Sequence, residues 1–311
     1  MRKITIVGAG AVGATAAFAI AESALAEEIV IVDINRDRAD GTAWDIAHGI
    51  PLIRPVKVYE GSYKDSAESD LTIITVGVPE KVGESRLVPL QKNADILSSI
   101  VPQIVKNSPD GLILVVTNPV DILTYITSRI AGLPQGRILG LGTVLDSSRL
   151  CCMLSRDFAV NGRSIQAYMI GEHGDSQVAA FSLAHIAGVS IEAYAAAVKK
   201  PLPKDYLEKI RAEVTESAFD VWKKKGSNCY CVADAIKTVA QAILRDERSI
   251  LPVSSLMTGQ YGVENICLSL PSIVGNAGVI QTLELPLTDR EKELFQQSGK
   301  LLKDYVSQIR F

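Results

Sequence analysis

Residues 3 to 33 constrain the fold more than any other stretch. Lys3 to Val7 is a short β-branched run and predicts a strand. It leads directly into Gly8-Ala9-Gly10-Ala11-Val12-Gly13, after which Ala11 to Ala26 reads as a helix. Glu28 to Asp33 follows as a second strand, so Asp33 stands 20 residues after Gly13 at a strand end. A G-x-G-x-x-G turn is a weak signal alone. Between a strand and a helix, with an acidic residue at that distance, it reads as a dinucleotide-binding turn. Gly8 permits the tight turn, Gly10 lets the backbone approach a pyrophosphate, and Gly13 lets helix and strand pack closely. The helix start offers free N–H groups and the positive end of its dipole to phosphates. Asp33 is suited to accept from a ribose hydroxyl, and its charge opposes a 2′-phosphate, so NAD is favoured over NADP. Val12, inside the turn, and Gly77, after a later strand, join Gly8, Gly10, Gly13 and Asp33 as cofactor-binding candidates.

The same rhythm continues. Leu71 to Val76 and Leu112 to Thr117 are further strands, each a continuous apolar run bounded by Gly, Pro or Asp. Continuous runs predict burial on both faces, as in a parallel sheet covered by helices. The expected fold is therefore α/β: a doubly wound parallel sheet (a Rossmann domain) followed by an α+β substrate domain. The second half reads as strands at Ile165 to Ile170 and Ile266 to Pro271, with helices at Lys204 to Lys225, Cys231 to Arg245 and Thr288 to Ile309. A soft boundary falls near residues 140 to 145, giving a cofactor domain over 1–143 and a substrate domain over 144–311. No Ser- or Pro-rich linker marks it, so the halves are expected to pack tightly. A chain of 311 residues is about two domains long.

Composition removes several classes of function. Lys+Arg 32 against Asp+Glu 35 gives a net charge of -3, with no electrostatic footprint for nucleic acid. No stretch offers an apolar transmembrane span. Met1-Arg2-Lys3 runs straight into the first strand, unlike a secretory signal. The cysteines Cys151, Cys152, Cys229, Cys231 and Cys267 match neither a disulfide framework nor zinc spacings. They read as reduced, mostly buried thiols of a cytoplasmic protein with no metal site.

Three histidines are present. His48 reads as a helix-end residue and His185 as part of an apolar helical stretch. His173, in Gly171-Glu172-His173-Gly174-Asp175 after a strand, stands where a proton-exchanging imidazole can reach a substrate. Asp146 and Arg149 lie three apart, on one face of a helix. Their pairing can be a local salt bridge. Alternatively, Asp146 holds the His173 imidazole and Arg149 grips a carboxylate through parallel hydrogen bonds. Asn118 follows a strand at the edge where doubly wound folds bind ligands. Arg86 stands in a polar, glycine-containing stretch that reads as a closing loop.

Taken together, Gly8 to Gly13, Asp33, the loop ending at Arg86, Thr117-Asn118-Pro119-Val120-Asp121, Leu145 to Arg149 and Gly171 to Asp175 resemble the L-lactate dehydrogenases of the NAD-dependent lactate and malate dehydrogenase family. The resemblance spans nearly the whole chain. It implies reversible hydride transfer between NADH and pyruvate, giving L-lactate, in a homodimer or homotetramer. It also implies roles. His173 exchanges the proton of the keto oxygen, and Asp146 orients it. Arg86 polarises the carbonyl, Arg149 anchors the carboxylate, and Asn118 bonds the carbonyl side and the nicotinamide region.

Two departures from the family pattern concern substrate and regulation. The position six before Arg86 is Gln in lactate enzymes and Arg in malate enzymes; here it is Glu80. A pocket Thr is replaced by Asn228. Both fall at the distal end of the substrate, so a dehydrogenase for another or bulkier 2-keto acid is the alternative. A protonated Glu80 would resemble the neutral Gln, and a solvent-facing Glu80 would have no role. Malate dehydrogenase is disfavoured: a charged Glu80 about 5 Å from a second carboxylate costs roughly 3 kcal/mol at an effective dielectric near 20. The cationic ligands with which many bacterial relatives bind fructose 1,6-bisphosphate are replaced by Cys151 and Gln166. An NAD-dependent glycoside hydrolase would need a Cys/His metal site, and a non-catalytic nucleotide-binding protein would not need His173, Asp146, Arg149 and Arg86 together.

Overall fold

The computed structural model describes residues 2–78 and 87–311. Glu80 and Arg86 lie outside the described residues. In the first half β1 (Lys3–Val7), β2 (Glu28–Val32), β3 (Lys57–Glu60), β4 (Leu71–Ile74), β5 (Leu112–Val115) and β6 (Ile138–Gly140) are all parallel, in the order β3-β2-β1-β4-β5-β6. This is the doubly wound arrangement. Every residue of β2, β4 and β5 is buried, as continuous apolar strands covered on both faces require. The covering helices are α1 (Ala11–Glu22), α2 (Arg36–Gly49), α3 (Leu87–Asn107) and α4 (Val120–Ala131).

The second half opens with α5 (Val144–Phe158), followed by the short strands β7 (Ile165–Gln166), β8 (Met169–Ile170), β9 (Val178–Ala179), β10 (His185–Ile186) and β11 (Val189–Ser190). Helices α6 (Ile191–Ala197), α7 (Tyr206–Lys225) and α8 (Cys229–Leu244) come next. The long strands β12 (Ser249–Thr258), β13 (Glu264–Gly275) and β14 (Gly278–Thr282) precede the last helix, α9 (Asp289–Val306). Among the described residues β12, β13 and β14 extend the parallel sheet to nine strands, antiparallel, with Ser254 of β12 paired to Gly140 of β6. Ala16, Ala17, Ile20 and Ala21 of α1 share one apolar cluster with Ala233, Ile236, Val239 and Ala240 of α8. The halves are joined by a shared sheet and a seam of Ala, Val and Ile side chains.

Several expectations change. The run Ile165 to Ile170 is two strands in two different sheets, β7 with β10 and β8 with β9. His185 lies in a strand paired with Gln166, not in a helix. Helix α1 stops at Glu22 because the Ser23 hydroxyl donates to the Ala19 and Ile20 carbonyls and Ala24 turns to φ 50°. The last helix begins where expected, capped by Thr288 and Glu291 reciprocally. The thiols are less buried than expected: Cys229 and Cys267 are buried, Cys151 and Cys231 half-buried, and Cys152 exposed on α5. Among the described residues no helix is long and apolar enough to cross a membrane.

Candidate active site

The carboxyl ends of β1, β4 and β5 share one edge of the sheet, and a cavity of about 640 Å³ lies there. Val12, Gly77 and Asn118 line it from the first half, and His173, Trp222 and Asn228 from the second. A smaller cavity of about 190 Å³ adjoins it, walled by Arg149 together with Val12, Asn118, His173 and Asn228.

The glycine turn forms one wall. Gly8 has φ +110°, and a β-carbon there would stand 2.8 Å from Thr75 Oγ1 and 2.9 Å from Val76 N. A β-carbon on Gly13 would collide with the Gly8 carbonyl, so these two glycines let β1, β4 and α1 meet. Gly10 differs: a β-carbon there has no heavy atom within 4 Å. Gly10 is also the N-cap of α1 and gives it no side-chain cap. Open space beside an uncapped helix start is what an approaching pyrophosphate needs. Asp33 closes the turn: its Oδ2 accepts the Ala9 N–H at 2.6 Å and its Oδ1 the Asn35 N–H at 2.8 Å. Each oxygen keeps a lone pair for a ribose hydroxyl.

The opposite wall carries the titratable groups. Asp146, in the first turn of α5, has its side chain 3% exposed. Its Oδ2 meets His173 Nδ1 at 2.5 Å, and its Oδ1 accepts from Arg149 at 2.9 Å. One Asp146 carboxylate therefore makes the local salt bridge to Arg149 and also holds the His173 imidazole. Burial pushes the Asp146 carboxyl up, but the His173 and Arg149 charges and hydrogen bonds hold it below the usual carboxylate range. Burial likewise pushes the His173 imidazole down, and the Asp146 charge and hydrogen bond, with help from Asp121, raise it above 6.5. With Nδ1 engaged, Nε2 is the nitrogen left for a substrate.

Asn118 is exposed at the cavity, and its backbone carbonyl accepts from Asn93 Nδ2 at 3.1 Å. Asn93 also exchanges two hydrogen bonds with the Val78 backbone and so ties the ends of β4 and β5 together. Asn228 donates to the Ala218 carbonyl at 2.8 Å, and its Oδ1 is buried without a partner. Gln166 bonds the Tyr168 hydroxyl, and Cys151 faces the Ile165 and Ala167 carbonyls, so neither position supplies a cation. Sequence reading did not single out Asn93 or Asp121. Asn93 left one signal, a polar residue among the buried apolar positions Leu90, Ala94 and Leu97 of α3.

Two sequence profiles match the chain: the lactate/malate dehydrogenase NAD binding domain over residues 2–140, and the lactate/malate dehydrogenase alpha/beta C-terminal domain over residues 143–310. The chain belongs to the lactate/malate dehydrogenase family. The family's cofactor is NAD, and the open glycine turn fits it. An L-lactate dehydrogenase of Thermoanaerobacter sp. (strain X514) is 48% identical over 309 residues, 99% of each chain. L-lactate dehydrogenase 1 of Clostridium acetobutylicum is 48% identical over 307 residues, 99% of this chain and 98% of that protein. The crystal structure of a minor L-lactate dehydrogenase from Enterococcus mundtii superposes with a TM-score of 0.96 at 36% identity, covering 100% of this chain and 99% of that one. A lactate dehydrogenase from a Medee basin deep-sea metagenome gives 0.95 at 32%, with 99% of each chain covered.

Proposed function

We propose that this family member works as an L-lactate dehydrogenase, reducing pyruvate to L-lactate and running the reverse reaction. The observation that carries the reading is the His173–Asp146–Arg149 chain, with one buried carboxylate holding both cations at the cavity beside the glycine turn. His173 Nε2 gives its proton to the keto oxygen as the alkoxide develops, and Asp146 stabilises the imidazolium before that transfer. Bound NADH supplies the hydride. Arg149 spends one nitrogen on Asp146 and keeps further N–H donors for the substrate carboxylate. Asn118 bonds the carbonyl side. Arg86 polarises the carbonyl and Glu80 meets the distal end, both assigned from sequence alone. Gly8, Gly10, Val12, Gly13, Asp33 and Gly77 hold the cofactor, so residues 1–143 form the NAD-binding domain, and 144–311 form the catalytic and substrate domain that carries Asp146, Arg149 and His173.

A second reading, a bulkier 2-keto acid, has one observation in its favour. The rings of Phe219 and Trp222 stack at 6.0 Å and 25° on the wall of the same cavity. One kinetic panel decides: NADH with pyruvate, oxaloacetate, 2-ketobutyrate, 2-ketoisocaproate and phenylpyruvate. Pyruvate is expected to give the highest kcat/KM; a preference for phenylpyruvate moves the assignment to the second reading. The pH profile follows from the raised imidazole. Pyruvate reduction needs the protonated form, so its rate persists past pH 6.5 and falls as pH rises through the His173 pKa. Lactate oxidation needs the neutral form and rises over the same range. Self-association to a dimer or tetramer belongs to the same reading. It is supported by exposed Phe18, Trp44 and Leu52 and is checked by light scattering.

A further inference from the structure

A second carboxylate stands behind His173. Asp121, in the first turn of α4, is 2% exposed, and its Oδ2 accepts the His173 backbone N–H at 2.7 Å. Its Oδ1 has the Ser269 hydroxyl at a long 3.5 Å. The Ser254 hydroxyl is near enough to favour the charged form yet makes no hydrogen bond of ordinary geometry. Among the described residues no Lys or Arg pairs with Asp121. A neutral Asn could accept one backbone N–H equally well, whereas a buried, unpaired carboxylate is costly. The charge is the feature that needs a cause, and the cation nearest in the chain of contacts is the His173 imidazole.

We propose that Asp121 is a positioning residue for His173: it anchors the histidine's backbone to the start of α4, just after Asn118, and its negative charge joins that of Asp146 in keeping the imidazole protonated during pyruvate reduction. The surrounding charges agree with this division. Asp146 and Asp121 both favour the imidazolium, while burial and Arg149 oppose it. Facing Asp121 itself, burial and Glu172 push the carboxyl up, to about 6, and the Ser254 hydroxyl and His173 pull it back. Cys267 of β13 also faces it, and its thiol is pushed well up by burial and by Asp121, so it stays neutral. Above about pH 6 Asp121 is charged. Its removal lowers the imidazole pKa and moves the alkaline limb of pyruvate reduction toward lower pH.

The proposal rests on the pyruvate-reducing reading, and Asp121→Asn tests it. Asn keeps an acceptor for the His173 N–H and removes the charge; Asp121→Ser is a second neutral variant. With NADH saturating, the alkaline limb of kcat/KM is expected about one pH unit lower, within the range of a nearby opposite charge. The NMR titration of the His173 ring in the NADH complex is expected to move equally. A folded neutral variant whose limb and ring titration stay at wild-type values overturns the proposal, even if its rate is uniformly lower. Loss of NADH binding in both variants assigns Asp121 to stability and overturns it too. The ring titration needs no substrate. A wild-type enzyme that fails to reduce pyruvate therefore sinks the reading of function, and an unmoved ring sinks only the role of Asp121.

Discussion

The glycine turn and the His173–Asp146–Arg149 cluster are each closed by an aspartate, but they are built from different materials. Asp33 is half-buried and takes two backbone N–H groups, from Ala9 and Asn35. Asp146 is buried and takes two cationic side chains, His173 and Arg149. The first site is made of one continuous stretch of main chain, shaped by glycines. The second gathers side chains from α5, the loop after β8 and the start of α4. A site built of backbone fails when a β-carbon intrudes. A site built of side chains fails when a charge or proton is lost, with the fold intact.

That contrast can be broken first at His173. His173→Asn is expected to leave NADH binding near wild type and lower pyruvate turnover at least about a hundredfold, the low end for general acid–base catalysis. Stopped-flow turnover within a few fold of wild type would show that the cluster is not the proton donor. Two glycines sharpen the other side. Gly13→Ala sets a methyl against the Gly8 carbonyl; it is expected to cost about 1–3 kcal/mol of stability, seen as a lower Tm by calorimetry. Gly10→Ala has room in the protein. It is expected to keep Tm and lose about tenfold in NADH affinity, roughly 1.4 kcal/mol, within the range for overpacking. Unchanged affinity would mean the cofactor does not approach Gly10. Asp33→Ser comes next, with the NADH-over-NADPH preference falling about fivefold, roughly 1 kcal/mol of surface charge repulsion; an unmoved ratio removes Asp33 from the ribose. The smallest effect is none at all. With Cys151 and Gln166 neutral, millimolar fructose 1,6-bisphosphate is expected to leave the pyruvate KM unchanged, and clear activation would reveal another anion site.

The same contrast explains what could be read before the structure. The turn from Gly8 to Asp33 was legible because its geometry is local: strand, glycine spacing, helix and acid follow one another along the chain. His173, Asp146, Arg149 and Asn118 were legible as residue types at the right kind of position, and the fold brings them to two adjoining cavities. Strand β12 was not legible. Ser249 to Thr258 carries Pro252 and three serines, yet Ser254 and Ser255 are buried because the strand lies between β6 and β13. The apolar run Ile165 to Ile170 did not reveal that it feeds two sheets, since hydrophobicity says a residue is covered and not by what. Asn93 and Asp121 escaped notice because their partners are backbone groups distant in sequence.

The pairing of Ser254 with Gly140 has a consequence for how such a chain can change over time. Gly140 lies so close to Ser254 that a β-carbon there would stand 3.0 Å from the serine's own. The boundary between the halves is thus a hydrogen-bonded strand junction with no spare volume. Neither half is an exchangeable cassette: a chimera that joins one half to another relative's partner must match strand register and side-chain size at this junction. A larger side chain at Gly140 is expected to need an accommodating change at Ser254 across the junction.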